Sequence, residues 1–171
     1  MENKKFKTKR GRLIYLVSLL LFASYFFILI PYFGVYTAEN ELILFQFSNY
    51  VLGGNVVVNS NGYVYSYSFK LNVYLIIYQQ LMLLACLGSI FSRNSTKNLI
   101  FTMFLIIGCL VASFFVPFFI ISVNPQFTYK DIQLNIGYFL QVGILLICLI
   151  LTLVCYIRAK VFWARRLPET C

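Results

Sequence analysis

The chain has 171 residues, of which 61% are hydrophobic, 19% aromatic and only 11% charged, a balance that excludes a water-soluble domain of this size. The net charge of +9 does not mark a nucleic-acid binder, because 12 of the 14 basic residues collect at three places flanking apolar runs. There is no His, and no Asp, Glu, Lys or Arg lies well inside an apolar run, so the residues that usually carry membrane-bound metal, haem or proton chemistry are missing.

Residues 1–12 form a basic segment with Lys4, Lys5, Lys7, Lys9, Arg10 and Arg12. The first apolar run, 13–33, reaches the ~20 residues needed to cross a ~30 Å hydrocarbon layer and exceeds the core of a typical signal peptide, roughly 7 to 15 residues. Further runs of spanning length follow at 71–91, 99–123 and 134–157. The expected fold is therefore an all-α membrane protein, a four-helix transmembrane bundle. The connection 92–98 carries Arg93 and Lys97, and the tail 158–171 carries Arg158, Lys160, Arg165 and Arg166. With an even number of spans these share one side with the N-terminus, and the positive-inside rule makes that side cytoplasmic. The other connections, 34–70 and 124–133, hold only Lys70 and Lys130 among basic residues, beside Glu39, Glu41 and Asp131. An integral protein of the plasma membrane with both termini inside is the expected location.

The 34–70 connection is too long for a bare linker and reads as strands. Asn61-Gly62 is its strongest signal, because both central positions of a type I′ turn need positive φ. The register that follows places Val56 opposite Tyr67 and Val58 opposite Tyr65 on one face. Residues 41–48 are expected to add a third strand, giving a small extracytoplasmic β-hairpin or three-stranded cap.

Gln79 and Gln80 near the middle of the second run, and Gln141 in the fourth, are amides in an apolar setting. They are expected to turn toward other helices and hydrogen-bond there, at roughly 0.6 to 2 kcal/mol each. Ala85 and Ser89, with Gly108 and Ala112, form two small-x-x-x-small ridges suited to close helix packing. Pro117 is expected to kink the third span. Cys86, Cys109, Cys148, Cys155 and Cys171 lie in the runs or the tail and read as packing residues, without metal or a disulfide framework. In the tail, Trp163 among Arg158, Lys160, Arg165 and Arg166 reads as a contact with anionic lipid headgroups on the cytoplasmic side. The ending Leu167-Pro168-Glu169-Thr170-Cys171 resembles a sortase substrate but falls on the predicted inner side, without the Gly that should follow Thr.

In layout the chain resembles the claudin and peripheral-myelin-protein group: four spans, termini inside, a long first outer loop with strand character and a shorter second one. That group's first loop carries a Gly-Leu-Trp motif and two Cys, whereas here Gly53-Gly54 leads into Val56-Val57-Val58 and the single Trp is Trp163. Only the topology is shared. No Cys-x-x-Cys, Glu-x-x-His or His-Glu-x-x-His motif is present, so no catalysis and no cofactor are expected. The expected role is an interaction or assembly component of a membrane complex, with other membrane proteins or further copies of itself as partners. The alternative is a small transporter or channel subunit with a path lined by Gln79, Gln80 and Gln141.

Overall fold

A computed structural model of the chain describes residues 2–36, 41–60, 62–92, 95–124, 127 and 132–164. In chain order the elements are α1 (Glu2–Tyr25), a 3-10 turn (Phe26–Leu29), β1 (Pro31–Tyr36), β2 (Leu42–Gln46), α2 (Phe47–Leu52), β3 (Gly54–Ser60), β4 (Tyr63–Phe69), α3 (Val73–Phe91), α4 (Thr96–Val123), β5 (Ile132–Leu134) and α5 (Ile136–Ala164). The described residues are mostly helical, with two small sheets. Val73–Phe91, Thr96–Val123 and Ile136–Val161 are long and apolar enough to cross a membrane, which marks a membrane-embedded protein. The apolar part of α1, Gly11–Tyr25, is shorter.

Two of the expected span ends are strands instead. Ile30 precedes Pro31 and is extended, at φ −94° and ψ 147°, because the proline ring excludes its predecessor from the helical region. Residues 31–33, expected within the first span, therefore open β1. At the other end Leu134, expected to begin the fourth span, closes β5 and pairs with Phe33. An apolar residue serves a buried strand as well as a membrane helix, so hydropathy alone does not separate the two.

The chain divides into two compact units. The first comprises Met1–Ser24, Leu81–Leu110 and Ile144–Cys171. Here parts of α1, α3, α4 and α5 pack together. Ile14, Leu99 and Cys155 form one buried cluster, the Ser18 and Ser89 hydroxyls meet at 2.7 Å, and the Cys86 thiol donates to the Ser18 carbonyl at 3.5 Å. A methyl group added at Gly88 would lie 3.1 Å from Thr102 Oγ1, so α3 and α4 approach closely there. Ala85 and Ser89 are buried.

The second unit comprises Tyr25–Gln80 and Val111–Gly143. Its three-stranded sheet has the order β2-β1-β5, antiparallel throughout. The expected third strand of the hairpin thus exists but joins β1, through Gly34↔Leu44 and Val35↔Ile43. Its alternating burial, with Ile43 and Phe45 in and Leu42, Leu44 and Gln46 out, is that of a strand with one face on a core. Residues 47 and 48 belong to α2, which buries Phe47, Tyr50 and Val51.

Strands β3 and β4 form a separate two-stranded ribbon with Val56↔Tyr67, Val58↔Tyr65 and Ser60↔Tyr63. Gly62 has φ +83°, the left-handed conformation that a two-residue hairpin turn requires. Asn61, its expected turn partner, lies outside the described residues.

Candidate functional site

The second unit is built on an aromatic core. Tyr32, Phe33, Phe47, Tyr50 and Tyr78 are all fully buried. The rings of Tyr32 and Phe47 are 4.4 Å apart, and Phe33 and Tyr50 meet edge-on at 5.7 Å. The sheet positions Tyr32: Asn135 N donates to its carbonyl at 3.1 Å just before α5 begins. A methyl group at Gly137 would come within 2.6 Å of the Pro31 carbonyl, so only a glycine lets α5 start this close to β1. From that position the Tyr32 hydroxyl donates to Gln141 Oε1.

The three glutamines singled out in the sequence thus have different surroundings. Gln141 is fully buried, and the hydroxyl it meets comes from a strand residue, where a helix residue was expected. Gln79 is buried, at 3% exposure, and neither amide atom has a hydrogen-bond partner. Gln80 is exposed, contrary to the expectation that it turns inward. The cause is helix phase. At about 100° per residue, a stripe that buries Asn72, Leu75, Gln79, Met82, Cys86 and Ser89 leaves Gln80 on the opposite side.

Two asparagines that hydropathy does not reveal organise the helix ends. Asn72 is fully buried; its Oδ1 accepts from Leu75 N at 3.3 Å, a cap on α3, while its Nδ2 donates to the Phe119 carbonyl of α4 at 2.7 Å. Asn124, just past α4, accepts from Lys70 N at 2.8 Å through Oδ1 and returns Nδ2 to the Ile120 carbonyl at 3.1 Å. The sequence signal for both was their position at the edge of an apolar run, Asn72 just inside 71–91 and Asn124 just past 99–123. Together they tie β4 and the start of α3 to the end of α4.

The hairpin presents two unlike faces. Val56, Val58, Tyr65 and Tyr67 are half-buried, and Tyr67 stacks near Phe127 at 6.2 Å and lies 5.0 Å from Phe45. Val57 and Val64 on the other face are exposed, as is Tyr63 beside the turn. Burial, with Tyr65 nearby, pushes the Tyr67 hydroxyl above its ordinary range, and burial does the same more strongly to Tyr50, whose hydroxyl has no hydrogen-bond partner.

The remaining residues singled out in the sequence are dispersed. Gly108 is exposed, with open space where a side chain would stand, and Ala112 is half-buried, so the expected ridge on α4 has no close neighbour at Gly108. Pro117 lies within an unbroken α4. Arg158 and Lys160 are exposed on α5 and Trp163 falls in its last turn, while Arg165, Arg166 and the sortase-like ending lie outside the described residues. Cys86, Cys109, Cys148 and Cys155 are buried and unbridged. Among the described residues no group of three or more Cys, Asp or Glu is placed to hold a metal ion. A shallow apolar groove of about 190 Å³, lined by Ile100, Met103, Phe104, Ile107 and Tyr156, lies in the first unit.

Fold and surroundings together define a membrane-embedded, mostly helical protein with a strand-rich unit. No family model, curated protein or solved structure matches the chain.

Proposed function

We propose that the protein is a four-span integral membrane protein of the plasma membrane, with both termini cytoplasmic, that works without catalysis as an assembly component of a membrane complex. The observation that carries this reading is the hairpin. A two-stranded ribbon is marginal alone in water, yet this one pairs with no further strand among the described residues and leaves Val57 and Val64 exposed on one face. Such a face suits contact with another protein. The buried polar groups support the same reading, because Ser18, Ser89, Asn72 and Gln141 are engaged with groups of the chain itself.

Gentle purification in native lipid, with mass identification of accompanying chains, tests the proposal. A companion should be retained by the natural protein and lost with Val57→Lys or Val64→Lys, both on the exposed face and neutral toward the half-buried one. Retention by both variants, or the absence of any companion, counts against it.

A second reading, a transporter or channel subunit, draws on Gln79 alone, whose buried amide is unsatisfied and would suit a hydrated path. Solute flux in liposomes that Gln79→Leu abolishes would favour that reading over assembly.

A further inference from the structure

The exposed side of α3 has a pattern of its own. Val73, Ile77, Gln80, Leu84, Leu87 and Phe91 recur at alternating intervals of four and three residues along Val73–Phe91. At about 100° per residue they fall within an arc of roughly 80°, directly opposite the buried stripe. The five apolar members are 55%, 53%, 51%, 43% and 67% exposed in that order. Heptad spacing by itself is what any lipid-facing helix stripe has. Gln80 is different: it lies near the middle of the helix, exposed, with a carboxamide that has no side-chain partner, and no other amide or charged side chain is exposed so far from the ends of α3, α4 or α5 among the described residues. Facing lipid, that group leaves two donors and an acceptor unsatisfied.

We propose that the protein pairs with a second copy of itself along this face of α3, with the two Gln80 amides hydrogen-bonded to each other at the centre of the seam. The occupant follows from complementarity. An amide is donor and acceptor at once, so it complements itself, and two copies inserted with the same orientation and related by a two-fold axis along the membrane normal bring their Gln80 residues to the same depth. Leu84 and Leu87 on one side and Val73 and Ile77 on the other then interlock as in a parallel coiled coil, with a single polar position fixing the register. The proposal rests on the membrane-assembly reading above and names one partner within it.

The test uses the full chain in native membranes. With the natural cysteines retained, two differently tagged copies should be captured together, and Gln80→Leu should weaken that capture about three- to tenfold. In a background with the five natural cysteines replaced, single substitutions Ile77→Cys, Gln80→Cys, Leu84→Cys and Leu87→Cys should cross-link on oxidation to a product of twice the chain mass. Tyr74→Cys and Ile90→Cys, exposed but about 100° to either side of the seam, should not. Equal cross-linking at all six positions, none at the seam, or a product containing a different chain would each overturn the pairing. Carbonate extraction of the same membranes separates the two failures. A chain that stays in the membrane without cross-linking removes only the second copy, whereas a chain released into solution removes the membrane reading itself.

Discussion

Two buried tyrosines of the second unit make opposite demands. The Tyr32 hydroxyl donates to Gln141, so Tyr32→Phe removes a bond between fully buried groups and should lower stability by about 1 to 2 kcal/mol. The Tyr50 hydroxyl is buried without a partner, and its ring contacts with Phe33, Phe45 and Phe69 survive replacement by Phe. Tyr50→Phe should therefore be neutral or slightly stabilising, because it removes only an unsatisfied group. Denaturation of both variants in mild detergent checks the pair, and a loss above about 1 kcal/mol for Tyr50→Phe would mean that its hydroxyl has a role absent from these contacts. At this scale the sequence disclosed that Gln141 was an amide in an apolar run. It did not disclose that the partner sits 109 positions earlier on a strand, since that meeting depends on the sheet and on the close approach at Gly137.

Elements tell a clearer story where the signal is local. Asn61-Gly62 predicted the hairpin register that β3 and β4 adopt, because turn chemistry and alternation act between neighbours in sequence. What failed was anything set at long range. Residues 42–46 were legible as a strand, but their pairing with β1 depended on Pro31 ending the helix early, and α2 had too short an apolar pattern to register. Gly53, between α2 and β3, shows how tightly these elements are joined. It has φ +76°, and a methyl group there would fall 2.8 Å from both Leu71 N and the Phe69 carbonyl. Gly53→Ala should cost about 1 to 3 kcal/mol or prevent folding, whereas Gly62→Ala, at φ +83° in open space, pays only the backbone term of about 1 kcal/mol. Equal losses at the two positions would mean that the contacts around Gly53 relax freely.

For the whole molecule the question is whether α1 is a fourth span. Among the described residues three helices meet the length and hydropathy of a membrane crossing, and the Gly11–Tyr25 stretch of α1 falls short. Yet the chain continues as the apolar 3-10 turn Phe26–Leu29, whose rise of about 2 Å per residue exceeds the 1.5 Å of an α-helix, so Gly11 to Leu29 has a contour of about 30 Å. That matches the hydrocarbon thickness. Charge supplies the direction: the six basic residues of 4–12, with Arg93 ahead of α4, Lys97 in its first turn and four more after residue 157, should all remain on the cytoplasmic side. Four crossings satisfy all three groups at once, while three would strand the N-terminal group on the far side. Single cysteines at Asn61 and Thr96, in a background without the natural ones, discriminate the cases through a thiol reagent that does not cross membranes. Asn61→Cys should label in intact cells and Thr96→Cys only after permeabilisation. A tag at the N-terminus should behave like Thr96→Cys if α1 crosses. Accessibility of that tag from outside, with the two cysteines as expected, would leave α1 on the outer surface and the protein with three spans.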